Sequence, residues 1–338
     1  VTFECSLDGS AFAACASPQS YNNLASGSHT FQVRARDASG NVDATPATYT
    51  WAVDNSPPTT TASLSGTQRS CGPNSPPYGG TCFNNSATVS LSVNDATATR
   101  QYQVNGGARA NYTAPFQVST EGMKTVNYRS VDSPGNVETT KTMQVKVTSL
   151  STPLRDGFNR VQGALGANWS GATATTSYAI AQQKVDVGAG GAVYWQPAQF
   201  GPNQQACLNL KTIDAAGAEQ GLLLKVQGTT ANYQQGAIRV RYDAVSSQVF
   251  VETWQPGSAA WFAYAPVLVP FNSGDEPGAW VTASGEVRVY RNCERIAIVT
   301  LNSADQSFFN ALGGRIGMWF VNAGNAWADD FGGGTVTP

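Results

Sequence analysis

Gly27-Ser28-His29-Thr30-Phe31-Gln32-Val33-Arg34-Ala35-Arg36-Asp37-Ala38-Ser39-Gly40-Asn41-Val42-Asp43 returns as Gly122-Met123-Lys124-Thr125-Val126-Asn127-Tyr128-Arg129-Ser130-Val131-Asp132-Ser133-Pro134-Gly135-Asn136-Val137-Glu138. Asp132 stands 95 residues beyond Asp37, and that spacing holds along the whole stretch. Upstream, Leu7-Asp8-Gly9 returns as Val104-Asn105-Gly106 at a spacing of 97. Two copies of one unit therefore follow each other. In the first, Phe31, Val33 and Ala35 alternate with polar residues, the period-two signature of a half-buried strand. Each copy then runs into Asp-x-x-Gly-Asn, where Gly and Asn supply the positive φ of a tight hairpin. Asp8-Gly9 and Asn105-Gly106 mark a second hairpin.

Short strands with turn signals at this spacing predict a β-sandwich of immunoglobulin type. The copies are unequal. About 40 residues, 57 to 97, precede the point in the second copy that matches Val1, and they include strand-like Thr60–Leu64 and Ala87–Val93. The first copy, residues 1–54, is thus expected to lack its first two strands, leaving an apolar face and open strand edges. Those strands are expected from residues upstream of Val1 or from a neighbouring chain by strand donation. Asn55–Thr61, with Pro57 and Pro58, reads as an extended spacer opening the second domain, 55–150. Ser149–Pro153 has the same role before the third, 151–338.

The two copies resemble the bacterial immunoglobulin-like repeats of large surface proteins. The resemblance rests on Phe3-Glu4-Cys5-Ser6-Leu7-Asp8-Gly9, on His29–Ala35 and on Asp37…Gly40-Asn41…Asp43…Pro46-Ala47…Trp51…Asp54. It implies stalk, spacer and adhesion roles rather than chemistry.

Charged residues make up only 12% of the chain and net charge is −2, with no basic run, so nucleic acid is a poor partner. No apolar stretch approaches the ~18 residues that span a bilayer, and membrane insertion is not expected. Val1-Thr2-Phe3 is already strand-like, so any targeting segment is expected outside these residues. Six cysteines form three couples. Cys5 and Cys15 flank the Asp8-Gly9 turn, Cys71 and Cys82 bracket a Pro/Gly-rich loop, and Cys207 and Cys293 remain in strand-like sequence. With no C-x-x-C and His29 the only histidine, disulfides in an oxidising, extracellular compartment are the expectation.

From residue 154 the character changes, for seven of the eight Trp lie beyond it. Alternation in Leu222–Val226, Ile238–Tyr242 and Val287–Tyr290 belongs to about a dozen strands, with one short helical turn near Ser303–Asn310. The domain resembles the concanavalin A-like (laminin G-like) superfamily of lectins and glucanases. Asp156-Gly157-Phe158-Asn159-Arg160, Leu165-Gly166-Ala167-Asn168-Trp169, Phe200–Gln205, Gly285–Asn292, Gly314–Phe320 and Asp329-Asp330-Phe331 carry the likeness. The predicted class is all-β: tandem immunoglobulin-like sandwiches and a concanavalin A-like jelly roll. Cys293 stands where Gly would usually follow Asn292, and is read as bonded to Cys207.

A glycosidase needs a positioned carboxylate pair. The Glu-x-Asp-x-x-Glu run of the glucanase branch is absent, Glu252 stands alone on its strand, and Asp275-Glu276 reads as a solvated turn. His29 lies in the first module, so no Ser-His-Asp site forms in the third domain. The expectation is no enzyme and no catalytic residue. Trp254 and Trp261 bracket a hairpin, with Tyr264 after it and Tyr233 in the preceding loop. These four are the candidate carbohydrate-binding residues, since sugar C–H faces stack on flat rings; core packing is the competing reading. Asn322, Asn325 and Trp327 form a second candidate loop. No cofactor is expected beyond a possible structural Ca²⁺ held by Asp156, Asp329 and Asp330, where related jelly rolls carry calcium. The leading function is a surface adhesin whose jelly roll binds a polysaccharide or cell-surface glycan. The alternatives are a subunit of an extracellular filament or surface layer, self-assembling through the N-terminal module, and the accessory modules of a secreted glycoside hydrolase.

Overall fold

The computed structural model describes residues 1–70, 81–149, 153–228 and 232–336. By contacts the chain divides into two compact units. One holds Val1–Ser63, Ser90–Pro115 and Val126–Met143; the other holds Leu64–Val89, Phe116–Thr125 and Gln144–Pro338. The division falls within the strands of the second repeat, not at a spacer.

The first repeat is one four-stranded antiparallel sheet in the order Ala13–Cys15, Thr2–Leu7, Gly27–Arg36, Ala47–Val53. Cys5 and Cys15 are bonded, as expected. The predicted turns are present. Asp37 Oδ1 accepts from the backbone of Ser39 and Asn41, and Asp132 Oδ1 accepts from Gly135 and Asn136 one repeat later. His29 contacts Asp8 Oδ2 at 2.7 Å through Nδ1 and the Ala25 carbonyl at 2.8 Å through Nε2. Those two acceptors raise its pKa, Ala25 first and Asp8 second.

The second repeat has a six-stranded sheet and a three-stranded one, the latter ordered Phe116–Val118, Ala87–Val93, Thr60–Ser65. This small sheet is the layer that the first repeat lacks. Its Ala87, Val89 and Leu91 are buried, as are Val126 and Val145 of the larger sheet. Glu138 ties strand to turn: it accepts from Thr60 N (2.8 Å), Thr60 Oγ1 (2.5 Å) and Ser130 N (3.1 Å), and pairs with Lys141 Nζ at 2.8 Å. Burial opposes its ionisation, but Lys141 and Thr60 outweigh burial and hold the carboxyl below the usual range. A lowered carboxylate stabilises above its unfolded pKa and loses that contribution as pH falls through the folded value. Glu138→Gln is therefore expected to lose about 1–3 kcal/mol at pH 7 and to flatten the acid limb of the melting curve. An unchanged acid limb would refute this.

Residues 154–336 form two stacked sheets. The first runs Tyr178–Ala181, Lys184–Val187, Trp327–Thr335, Gln204–Thr212, Pro277–Val281, Glu286–Arg291, Glu294–Thr300; the second runs Trp169–Gly171, Gly190–Trp195, Arg315–Val321, Glu219–Val226, Ala237–Asp243, Gln248–Trp254, Phe262–Ala263. The inward residues of both, such as Leu208, Leu210, Val287 and Val289 against Leu222, Leu224, Ile238 and Met318, make one core. This is the jelly-roll β-sandwich that alternation predicted. An α-helix, Ser303–Phe309, is capped by Asn302, whose side chain accepts from Asp305 N.

The Cys207–Cys293 pairing needs correction. Cys293 is disulfide-bonded, but Cys207 is a buried thiol, so these two are not joined. Cys207 sits mid-strand, opposite Gly278 and Gly332, whereas Cys293 occupies a turn. Cys82 is also disulfide-bonded and packs with Cys293 in one fully buried cluster. Cys71 lies outside the described residues.

Candidate functional site: an aromatic face on the second jelly-roll sheet

Strand alternation sends Ile238, Val240, Val249 and Val251 into the core and turns Arg239, Arg241, Glu252 and Trp254 to the opposite face. Register sets the rows on that face. Tyr194, Gly317, Leu223, Arg239 and Glu252 lie side by side across five strands, and Trp319, Gly221 and Arg241 make the next row. Tyr194, Leu223, Val226, Ala237 and Trp319 form a buried cluster separate from the main core, with Tyr233 and Trp261 packed on it.

The aromatic rings interlock. Trp261 stacks on Tyr233 at 5.5 Å and 15°; Trp254 meets Tyr233 edge-on at 5.4 Å, and Trp319 meets Trp261 edge-on at 5.6 Å. Local chemistry places each ring. Tyr233 sits in a one-turn 3₁₀ helix capped by Asn232, and its N–H donates to Tyr194 Oη at 3.2 Å. Burial pushes the Tyr194 hydroxyl up to about 12. The turn closes at Gly236, φ +124°, where a Cβ would meet Phe308 at 2.7 Å, so only glycine fits. Trp254 and Trp261 bracket the Gln255-Pro256-Gly257-Ser258 turn, closed by Ser258 N to Gln255 O at 3.0 Å.

Beneath the rings lies a charged layer. The Arg239 guanidinium is 4.3 Å from the Trp261 ring centre and 4.6 Å from that of Trp319. It pairs with Glu252 at 2.5 Å and with Glu219 at 2.9 Å; Glu252 also takes Arg241 Nε at 3.0 Å, and Trp319 Nε1 donates to Glu219 at 2.6 Å. Two cations and two carboxylates balance, so the face combines flat apolar rings, fixed hydrogen-bonding groups and no net charge. That combination suits an uncharged, polyhydroxylated ligand.

Of the four predicted residues, Tyr233, Trp254 and Trp261 come together, all half-buried. Tyr264 does not join them. It packs against the main core, its hydroxyl donates to Asp305 and accepts from Asn302 N at 2.9 Å, and burial together with Asp305 raises its pKa. Trp319 and the Arg239–Glu252–Arg241–Glu219 network were missed. Asn325 of the second candidate loop is held by Asp214 Oδ2 through its N–H at 3.0 Å.

The predicted calcium ligands are a second correction. The end strands do pair, with Asp156 opposite Phe331. Yet Asp156 is occupied by Arg160 Nη1 (2.6 Å), Trp169 Nε1 (2.8 Å) and Phe158 N (2.8 Å). Asp329 faces Lys211 at 3.6 Å, and burial followed by the neighbouring Asp330 raises its pKa. No set of three His, Cys, Asp or Glu able to hold a metal occurs among the described residues.

The fold and this face define a jelly-roll β-sandwich with an aromatic-lined outer sheet. No protein-family profile and no curated protein matches the chain. Among solved structures, a carbohydrate-binding module from Bacillus subtilis is similar at 14% identity, over 49% of this chain and 92% of that one, with a TM-score of 0.35. A non-specific endo-β-1,3(4)-glucanase of family GH16 is similar at 11% identity, over 54% and 92%, with a TM-score of 0.38. Galectin LEC-6 of Caenorhabditis elegans is similar at 12%, over 40% and 84%, with a TM-score of 0.29. At such scores nothing about the site follows from the likeness.

Proposed function

We propose that this protein is an extracellular, non-enzymatic binding protein whose jelly roll takes an uncharged polysaccharide or cell-surface glycan on the Tyr233–Trp254–Trp261–Trp319 face. The supporting observation is the half-open ring cluster seated on a charge-balanced Arg/Glu layer. A sugar's C–H face can stack on Trp254 or Trp261 while its hydroxyls meet Glu219 and Arg241. The non-enzymatic reading is supported by the state of the only two carboxylates in the layer. Both Glu219 and Glu252 are tied to one guanidinium, that of Arg239. The Cys5–Cys15 bond supports an oxidising, extracellular location. Among the described residues no helix is long and apolar enough to cross a membrane.

Trp261→Ala is expected to weaken retention on an insoluble-polysaccharide panel at least tenfold, since a stacked ring contributes about 1.4 kcal/mol or more. Equal retention of variant and parent, or no retention of the parent on any neutral glycan, would sink the reading.

A second reading, a subunit of an extracellular filament or surface layer, has its own observation. The face of the first repeat's sheet is open: Phe3 is 53% and Tyr49 67% exposed, beside a groove of about 790 Å³ lined by Phe31, Val33 and Trp51. The immunoglobulin-like character of the repeats belongs to this reading too. If this face drives assembly, Tyr49→Asp should convert ordered assemblies in electron micrographs into monomers. A parent chain that is monomeric at high concentration would exclude it.

A further inference from the structure

We infer that the second repeat and the jelly roll are joined by a covalent clamp, so that tension along the chain bypasses both the peptide connection between them and most of the jelly roll. Cys293 is disulfide-bonded. Cys82 of the second repeat is disulfide-bonded too, and it and Cys293 make up one fully buried cluster, which assigns them to each other. Both sides of this bond lie within one compact unit.

Non-covalent contacts reinforce the same spot. Ser149 Oγ lies 2.6 Å from Tyr290 Oη, and Gln205 Nε2 donates to Ser149 O at 2.6 Å. Glu121 accepts from Ser149 Oγ at 2.5 Å and pairs with Arg295 at 2.9 Å. Lys146 of the second repeat is buried; desolvation lowers its pKa against the opposing field of Glu294. A half-exposed pair such as Glu121–Arg295 contributes little by itself. It positions the surfaces, and the disulfide carries the load.

Gln205, Tyr290 and Arg295 all belong to the first jelly-roll sheet, and Cys293 to the turn between two of its strands. The aromatic face lies on the other sheet. The clamp therefore leaves that face clear, and fixes the domain that bears it to its neighbour. In sequence, Trp254 and Trp261 fall inside the closed loop. Force entering there leaves through Cys293 into the second repeat without unravelling the strands from Leu154 to Trp254.

The test is force spectroscopy on the full chain, pulled from its two ends. The closed loop holds roughly 210 residues or more, so reduction with a dithiol, or Cys293→Ser in its place, should lengthen the fully unfolded chain by about 700 Å. The Cys5–Cys15 loop accounts for only about 35 Å of any gain. Equal lengths for the oxidised and reduced chains, or a gain of only a few tens of ångströms, would overturn the clamp. Reduction of the parent chain gives a readout that does not depend on the folding of the Cys293→Ser variant.

Discussion

Glu252→Ala is expected to destabilise the jelly roll by about 3–5 kcal/mol, among the largest effects available to a single substitution here. Glu252 is 4% exposed and Arg239 3%. Removing the carboxylate leaves the Arg239 guanidinium buried, with only the more exposed Glu219 to face it and Arg241 on its own strand. Burial already lowers the Arg239 pKa, and Glu252 followed by Glu219 opposes that shift. Breaking a buried pair is costly, whereas replacing the whole pair with apolar groups of similar volume is often neutral. Arg239→Met combined with Glu252→Leu should therefore recover most of the loss, with Arg241 turning its more accessible guanidinium to solvent. Because seven of the eight Trp lie in the jelly roll, tryptophan fluorescence during urea unfolding reports on this domain. A midpoint for Glu252→Ala within a few tenths molar of the parent would refute the argument. A double variant no more stable than the single one would show that shape, not charge, holds the layer together. The double variant should still fail to bind glycan, since Trp261 and Trp319 lose the cation beneath them.

What the sequence reveals and conceals follows from the range of each interaction. The repeat is legible because Asp37…Asn41 and Asp132…Asn136 are local turns whose chemistry lies within five residues. Tyr233, Trp254 and Trp261 are legible because two of them bracket a hairpin and the third sits in a neighbouring turn. Trp319 is concealed. Its strand reads Ile316-Gly317-Met318-Trp319-Phe320, apolar on both faces, so alternation does not show which ring leaves the core. Glu252 reads as solitary because its partners Arg239 and Arg241 are on the adjacent strand, and only register brings Arg239 opposite it and Arg241 within reach. Tyr264 misleads for the converse reason: it follows the hairpin in sequence, but Asp305 of a helix some 40 residues on holds it elsewhere. The cysteines show the same limit. Cys5–Cys15 spans one hairpin and is read correctly, whereas the bond of Cys293 joins segments about 200 residues apart that no local pattern connects. The calcium expectation placed its three aspartates near one another, since the end strands do pair. It failed because Arg160, only four residues from Asp156, already neutralises that carboxylate.

Lys225 gives the second large effect, and its sign is unusual. It is fully buried at a bulge in Glu219–Val226, with Nζ donating to the Phe309 carbonyl at 2.7 Å at the end of the helix. Desolvation lowers its pKa to about 8. A lysine whose folded pKa lies below the unfolded value of about 10.4 binds fewer protons in the native state between those limits, so stability rises with pH there. Below pH 8 both states are protonated and the burial cost is present in full. Between about pH 8 and 10.4 the jelly roll should gain up to roughly 3 kcal/mol from this group. Tyr178 and Tyr290 set the upper limit. Burial, the leading cause for each, raises their pKa, so unfolded tyrosines ionise first and stability falls again above about pH 10. Urea midpoints followed by tryptophan fluorescence should accordingly climb from pH 8 towards pH 10 in the parent chain. Lys225→Met keeps the length of the side chain and removes the titrating group, so its midpoints should climb much less over the same interval, the remainder coming from buried Lys146, then share the decline. A parent chain whose stability is flat or falling from pH 8 to 9.5 would show that this ammonium is solvated, and that the core around Leu224 and Phe309 admits water to reach it.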